Sequence, residues 1–244
     1  MKTLRIITAL TVIVGLVLTT VISCGSSRPS SQMDARQLFE AGKEKYEKEK
    51  YLSAIEFFQT IVFNYPGNAV VDTAQYYLGL SYFSNDEHEL AAVEFNRLAL
   101  NYPSSAYFEN AVFMRAVSYY EATPDNSGLD QTDLERALNL LEDFLIDFPE
   151  SQLIPDAEKY LAAARGRLAR KLYDSGVVYD RISAPKAAKL YFQQVVDDYT
   201  DTEWGAKATF QLAVMEMRLK EYDEARRRFE NFRGVFAEHE WVPQ

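Results

Sequence analysis

One pattern of four spaced residues recurs five times in this 244-residue chain and constrains its fold more than any other feature. Each copy has an alanine, large apolar residues four and seven positions later, and an aromatic residue at plus eleven. The alanines are Ala54, Ala91, Ala137, Ala188 and Ala225. The aromatic residues are Tyr65, Tyr102, Phe148, Tyr199 and Phe236, and a proline follows each of the first three. A recurring pattern indicates that one supersecondary unit is stacked several times.

These spacings place the marked residues on one face of an α-helix. Twelve residues before the marked alanine stand Gly42, Gly79, Gly176 and, in the last copy, Ala213. A small residue there suits the close crossing of two antiparallel helices. The pattern resembles the tetratricopeptide repeat, a helix-turn-helix of about 34 residues. The predicted fold is therefore all-α, a right-handed superhelical solenoid of about five such repeats. The alternative is an ordinary helical bundle.

Two copies depart from the regular unit. In the third, Ala116 and Tyr119 mark the first helix, and a loop over residues 123–130 separates it from the second. That loop is rich in turn-forming residues. The fourth copy opens with a long helix, predicted from Pro155 to Tyr179.

The N-terminus has the pattern of an export signal. Residues 1–5 are basic, residues 6–22 are apolar, and Val21-Ile22-Ser23-Cys24 resembles a bacterial lipobox. This resemblance implies cleavage before Cys24, the chain's single cysteine, and lipidation of its sulfur. An uncleaved anchor with an incidental cysteine is the alternative. We expect a signal peptide over 1–23, a lipidated flexible tether over 24–33 and a repeat domain over 34–240, with N-terminal repeats 34–149 and C-terminal repeats 150–240.

Charge and composition exclude several function classes. The net charge of −10 argues against nucleic acid as a partner, because nucleic acid requires a basic footprint. The chain has two histidines, His88 and His239, and neither has a second ligand at metal-binding spacing. No nucleophile elbow, phosphate-binding loop or dinucleotide fingerprint occurs. We therefore expect no enzymatic activity, metal or cofactor.

The tetratricopeptide resemblance implies a peptide groove along the concave face of the first helices. Carried over by position, that groove would include a basic pair at one end, Arg36 and Lys43, and a stripe of aromatic residues. The stripe comprises Phe39, Tyr46, Tyr76, Phe83, Phe113 and Tyr120. Aromatic side chains are good anchors for peptide side chains, and a basic pair could hold a carboxylate. The alternative is that these rings fill the core between helices.

Basic residues are concentrated in the C-terminal repeats of an otherwise acidic chain. The candidates for a partner-docking surface are Arg165, Arg170, Lys207, Arg218, Arg226, Arg227 and Arg228. Such a surface could bind an acidic partner. The alternative is that these charges lie on a solvated helix face.

The lipobox and the five repeats together resemble the BamD (YfiO) family of outer-membrane assembly lipoproteins, over roughly residues 34–237. The most specific stretches are residues 147–152, Arg167-Leu168-Ala169-Arg170 and residues 198–202, where Thr200 replaces a proline common in the family. The resemblance implies a non-enzymatic subunit of the β-barrel assembly machine. Its N-terminal repeats would receive targeting segments of nascent barrel proteins, and its C-terminal repeats would dock on the POTRA domains of the barrel-forming subunit.

The resemblance also implies a location at the outer membrane, facing the periplasm, because Gly25 rather than Asp follows Cys24. Two alternatives remain open on the sequence. One is another periplasmic tetratricopeptide adaptor lipoprotein, such as a secretin pilotin or a cell-division coordinator. The other is a carbohydrate-binding helical-repeat lipoprotein, which the late position of both tryptophans, Trp204 and Trp241, disfavours.

Overall fold

A computed structural model describes Pro29 and residues 32–235 of the chain. The expected signal peptide, Cys24, most of the tether, and Phe236 lie outside the described residues. Within them, the regular secondary structure consists of ten α-helices. The helices are α1 (Ala35–Glu47), α2 (Tyr51–Asn64), α3 (Val71–Ser84), α4 (His88–Asn101), α5 (Phe108–Ala122), α6 (Thr132–Asp147), α7 (Ile154–Arg181), α8 (Pro185–Asp198), α9 (Glu203–Arg218) and α10 (Tyr222–Val235).

The helices form five consecutive pairs, each helix packing on the next along the chain. The first helices also contact one another between repeats, at α1–α3, α5–α7 and α7–α9. The fold is thus a helical repeat solenoid, as the sequence predicted. All five marked alanines are fully buried in the second helices. None of the helices in the described part of the chain is both long and apolar enough to cross a membrane.

Glycine permits the closest crossing in three of the repeats. A Cβ atom added to Gly79 would lie 2.6 Å from the ring of Phe95, and one added to Gly176 would lie 2.6 Å from the ring of Phe192. At Gly42 the corresponding distance to Phe58 is 2.9 Å. Each phenylalanine is the residue at plus four from the marked alanine. The recurrent spacing therefore corresponds to the same glycine–phenylalanine contact between the two helices of a repeat, found in three repeats.

The turn inside the repeat is also built repeatedly, in four of the five copies. A residue with positive φ follows the first helix: Glu49, Asp86, Ser183 and Lys220, with φ between 57° and 65°. The N–H of the next residue then donates to a carbonyl five positions back, as from Glu87 to Tyr82 at 3.0 Å. This is the Schellman type of helix end, which usually uses glycine at the positive-φ position.

The second helices end where the pattern predicts. Tyr65, Tyr102, Phe148 and Tyr199 each follow the last helical residue and leave the helical conformation. A proline comes next in the first three, but Thr200 does so in the fourth, and the helix still ends at Asp198. A Cβ added at Gly205 would lie 2.5 Å from the carbonyl oxygen of Thr200, so the turn there is tight without proline.

The two irregular repeats agree with the sequence analysis. Helix α7 spans 28 residues, slightly longer than predicted at both ends. The loop between α5 and α6 covers residues 123–131, and the Gln131 amide donates to the carbonyls of Pro124 (3.0 Å) and Asn126 (3.3 Å). That buried side chain holds the loop together from inside.

Candidate binding surfaces

Helix α1 presents the predicted basic pair at the start of the solenoid. A capping box fixes its first turn: the Gln37 N–H donates to the Asp34 carboxylate at 2.9 Å, and the Asp34 N–H donates to the Gln37 amide at 3.0 Å. Arg36, in that first turn, is exposed. Lys43 lies 3.9 Å from Glu47 with its side chain 41% exposed, so both cations remain accessible to an anionic ligand.

The first part of the aromatic stripe converges on a residue outside the predicted set, Tyr77. Phe39 and Tyr46 both meet its ring edge-on, with centroids 5.6 and 5.8 Å away. Tyr76 lies beside it at 6.3 Å. All four rings are partly buried against the N-terminal core, so each keeps some accessible surface. The structure therefore brings Phe39, Tyr46 and Tyr76 together as one aromatic cluster across α1 and α3.

Tyr76 is held the most firmly of these rings. It stacks on Tyr107 with centroids 4.6 Å apart and an interplanar angle of 18°, and it packs on Phe95 at 5.7 Å. Burial raises the pKa of Tyr76 to about 12. Its hydroxyl therefore stays neutral at physiological pH and can donate a hydrogen bond.

The remainder of the stripe separates into accessible and buried residues. Phe83 is partly buried and lies 4.9 Å from the His88 ring. Phe113 is only 7% exposed, between Phe144 at 5.6 Å and Tyr160 at 6.2 Å. For Phe113 the structure thus favours the core alternative, because a ring enclosed on both sides cannot receive a peptide side chain.

Tyr120 is positioned by Arg167 and Tyr160. The Arg167 guanidinium lies 5.0 Å from the centre of the Tyr120 ring, and Tyr160 meets that ring edge-on at 5.2 Å. Arg167 also donates hydrogen bonds to the carbonyls of Thr123 (2.9 Å) and Pro124 (2.8 Å). One arginine on α7 thus caps the end of α5 and fixes the start of the following loop.

Among the predicted docking residues, Arg165 is used inside the molecule. Its guanidinium donates two hydrogen bonds to the Asp201 carboxylate, at 3.0 and 2.6 Å, and a third to the Asp198 carbonyl at 2.7 Å. It also lies 5.2 Å from the centre of the Tyr199 ring. The hydrogen bonds from Arg165 lower the pKa of Asp201. This arginine therefore joins α7 to the turn between α8 and α9.

Arg170 and Lys207 meet at Trp204. Lys207 lies 4.2 Å from the indole centre and Arg170 lies 5.9 Å from it. Each has a carboxylate on its own helix: Arg170 is 3.6 Å from Asp174, and Lys207 is 3.6 Å from Glu203. Arg170 and Lys207 are therefore the predicted docking residues that the structure brings together, around one indole ring. Arg170 is more than half exposed, so this cluster is accessible to a partner.

The cations of the last repeat have unequal roles. Arg228 donates to Glu216 from Nε at 3.1 Å and from Nη2 at 2.9 Å, and Glu216 is 1% exposed. Arg218 pairs with Asp180 across α7 and α9. Arg227 is 73% exposed beside Glu224, while Arg226 is exposed and makes no ion pair within residues 32–235. Arg226 and Arg227 are thus available to a partner, whereas Arg228 neutralises a buried carboxylate.

Sequence reasoning missed Tyr77, Tyr107 and Tyr160, which support the predicted site residues, and it gave Arg167 no place in either site. Tyr77 could have been noticed as the neighbour of Tyr76. No sequence signal marks Tyr107 or Tyr160. Tyr107 lies in the turn between two repeats, and Tyr160 lies in the first half of the long helix α7. In the described residues, no group of three His, Cys, Asp or Glu side chains could hold a metal ion.

Comparison with known proteins decides the family. Residues 31–230 match the family described as YfiO, outer membrane lipoprotein, which is most of the chain and includes nearly all of the ten helices. The chain belongs to the YfiO family. This confirms the resemblance noted in the sequence and the class of outer-membrane lipoprotein that it implied.

Individual relatives of this YfiO-family chain include the outer membrane protein assembly factor BamD of Rickettsia prowazekii (strain Madrid E). It is 29% identical over 229 residues, which are 93% of this chain and 89% of the relative. Among solved structures, a tetratricopeptide repeat protein from Parabacteroides merdae ATCC 43184 is 18% identical, with a TM-score of 0.39 over 83% of this chain and 67% of its own. A thermophilic tetratricopeptide repeat protein from Thermus thermophilus is 17% identical, with a TM-score of 0.38 over 82% of this chain and 91% of its own.

Proposed function

We propose that this chain is the lipid-anchored adaptor of an outer-membrane β-barrel assembly machine and that it acts by binding rather than by catalysis. Its N-terminal repeats bind the targeting segments of nascent barrel proteins. Its C-terminal repeats dock on the periplasmic POTRA domains of the barrel-forming subunit. The observation that carries this proposal is the family match over residues 31–230, because it spans both groups of repeats.

The proposed peptide surface consists of the accessible part of the aromatic stripe and the basic pair. Phe39, Tyr46 and Tyr76 are partly buried around Tyr77 and keep some accessible surface, and Arg36 and Lys43 lie on the same helix as the first two. A peptide ending in an aromatic residue matches this chemistry, because its ring can pack on the cluster while its terminal carboxylate meets a cation. Phe83 and Tyr120 extend the surface, whereas Phe113 supports it from the core.

The proposed docking surface is centred on cations of α7, α9 and α10, of which Arg170, Arg226 and Arg227 are exposed and Lys207 is half-buried. Arg170 and Lys207 around Trp204, together with Arg226 and Arg227, present positive charge on a chain whose net charge is −10. Such a local surface can steer an acidic partner domain and fix its register. Arg165, Arg218 and Arg228 maintain the shape of this surface through their internal ion pairs.

Peptide binding can be tested without disturbing the core. We expect a labelled peptide ending in phenylalanine to bind the Arg36→Gln, Lys43→Gln chain about tenfold more weakly than the original chain, as measured by fluorescence anisotropy. The reason is that a charge-assisted contact contributes on the order of 1.4 kcal/mol. A peptide amidated at its C-terminus should bind the original and altered chains equally. If amidation has no effect on the original chain, the carboxylate is not read by this basic pair.

Docking can be tested in membranes. A tagged chain extracted in mild detergent should co-purify the barrel-forming subunit, and Arg226→Glu with Arg227→Glu should reduce that yield while leaving Arg228 and the fold intact. Undiminished co-purification with both charges reversed would remove the docking part of the proposal.

Lipidation can be tested separately. Cys24→Ala should release the chain from the membrane fraction, because Cys24 is the only thiol available for lipidation.

A further inference from the structure

The chain that enters the first repeat is held against α2. Met33 packs on the N-terminal core, and its carbonyl accepts a hydrogen bond from the Tyr65 hydroxyl at 3.1 Å. Pro29, four residues earlier, lines a shallow hollow on the C-terminal half of α2. The other residues of that hollow are Glu56, Gln59, Thr60, Phe63 and Asn64. The position from which the tether departs is therefore defined: it lies beside Phe63.

The length of chain before that point limits how far α2 can lie from a membrane. Pro29 is five positions after Cys24, and a fully extended chain spans at most about 3.3–3.6 Å per residue, or about 17 Å over those five steps. This step rests on the proposed function, in which Cys24 carries the lipid. With the lipid in a leaflet, the surface beside Pro29 lies within about one tether length of the phospholipid headgroups.

The surface of α2 around that point is suited to lipid. Leu52 is 66% exposed and Phe63 is 67% exposed. Because they are eleven residues apart, about three helical turns, they lie on one face roughly 16 Å from each other. Helix α2 packs on α1 and α3, and neither exposed side chain belongs to the buried N-terminal core.

The charge of α2 also distinguishes it from the other second helices. Among its fourteen residues, Glu56 is the single charged one. Helix α6 carries acidic residues along most of its length, and α10 carries both signs of charge in nearly every turn. A helix with few charges loses little hydration when it approaches an apolar phase, and an exposed phenylalanine gains by entering the headgroup–acyl boundary.

We propose that the face of α2 bearing Leu52 and Phe63 lies against the headgroup–acyl boundary of the leaflet that holds the Cys24 lipid. The tether supplies proximity and the two apolar side chains supply a second, weak attachment. Together they make the first repeat the membrane-proximal repeat and restrict the rotation of the solenoid about its anchor. A single lipid attachment point leaves that rotation free.

Site-directed spin labelling tests this contact on the full lipidated chain. Since Cys24 is the only cysteine and would be acylated, Phe63→Cys supplies the one free thiol. The matched control is Ile146→Cys on α6, because Ile146 is 76% exposed and lies two repeats away. Both chains are reconstituted in vesicles of phosphatidylethanolamine and phosphatidylglycerol, and collisions of the label with dissolved oxygen and with a water-soluble nickel chelate are measured.

We expect the label at position 63 to lose most of its collisions with the nickel chelate and to gain collisions with oxygen. The reference is the same label on the Cys24→Ser chain, which carries no lipid and is measured in buffer without detergent. The label at 146 should be unchanged. An acylated chain, verified by intact mass, whose label at 63 is as accessible to nickel as the label at 146 would overturn the membrane contact and leave the anchor standing. A chain without acyl groups would overturn both.

Discussion

The first two repeats and the last two share one backbone plan but connect their helices by different chemistry. In the first two, the ion pairs of Lys and Arg join residues three or four positions apart, as in Lys43–Glu47 and Arg97–Glu94. The last two also have such local pairs, as in Arg170–Asp174, but four further ion pairs there join separate helices or the turns beyond them. These are Arg165–Asp201, Arg218–Asp180, Lys189–Glu221 and Arg228–Glu216.

Aromatic rings make the corresponding connections at the other end. Tyr77 and Tyr76 link α1, α3 and the turn before α5 through contacts with Phe39, Tyr46 and Tyr107. The comparison shows that a repeat can change its inter-helix chemistry while keeping its crossing, since Gly79–Phe95 and Gly176–Phe192 are alike. It also shows that abundant positive charge in the C-terminal repeats is in large part structural.

The largest expected effect comes from breaking the most buried of the inter-helix ion pairs. Arg228→Ala leaves the Glu216 carboxylate, 1% exposed, without its partner, and should lower the free energy of unfolding by about 3 kcal/mol. Arg227→Ala, one position earlier and 73% exposed, should cost less than about 0.5 kcal/mol. Urea denaturation followed by circular dichroism measures both.

A double variant checks the cause of that loss. Arg228→Met with Glu216→Leu removes both charges and should recover most of the stability, because replacing a buried pair by apolar residues is often neutral. Equal stability of the Arg228→Ala and Arg227→Ala chains would mean that the pair contributes nothing to the C-terminal repeats.

The next largest effect is expected at the glycine–phenylalanine helix contact that the two regions share. Gly79→Ala and Gly176→Ala place a Cβ 2.6 Å from a phenylalanine ring atom and should each cost about 1–2 kcal/mol, since overpacking exceeds the gain in helix propensity. The control is Gly166→Ala on α7, where nothing lies within 4 Å of the added Cβ. That variant should be stabilised by up to about 1 kcal/mol. A thermal midpoint that rises in all three chains would contradict the crossing.

Acid should separate the two regions. The pKa of Asp201 is lowered from 3.8 by its hydrogen bonds with Arg165, so its contribution is complete above pH 3.8 and disappears as pH falls through the lowered value. The pKa of Glu44 is lowered by Lys48, but that pair lies within the last turn of α1. Hydrogen exchange at decreasing pH should therefore show α8 and α9 opening before α2 and α3. In Asp201→Asn the opening of α8 and α9 should no longer depend on this titration, because the contribution is lost at every pH, and simultaneous opening of both regions in the original chain would refute the account.

The smallest effect should be the same in both regions. Asp86→Gly and Ser183→Gly replace residues held at a φ of 60°, where a side chain costs free energy that glycine avoids. Each should stabilise the chain by about 0.5 kcal/mol, after the entropy that glycine adds to the unfolded state. Stabilisation at one position only, measured by chemical denaturation, would show that the two turns are not equivalent.

The sequence predicted the features that depend on spacing within one helix pair. The buried alanines, the glycine–phenylalanine crossings, the long α7 and the loop after α5 all follow from periodicity and turn residues. The positive-φ turns escaped notice because Glu49, Ser183 and Lys220 are not residue types that signal such a conformation, and Asp86 is the one member of the set that is enriched there. The sequence also could not show that Phe113 is enclosed by Phe144 and Tyr160, since that depends on how repeats pack.

The same limit explains the C-terminal cations. Arg228 and Arg227 are adjacent and chemically identical, yet only Arg228 reaches the buried Glu216. Which of two neighbouring arginines is structural depends on the rotation of α10 relative to α9. A charge count detects the basic surface but cannot divide it between internal pairing and a partner.

Hydrogen exchange with each ligand in turn tests the proposed division between the two regions most directly. The lipidated chain is measured alone, with a saturating peptide ending in phenylalanine, and with isolated POTRA domains of the barrel-forming subunit. The account predicts that the peptide protects α1 and α3 but not α9 or α10, and that the POTRA domains do the reverse. Protection of the same helices by both ligands would contradict it.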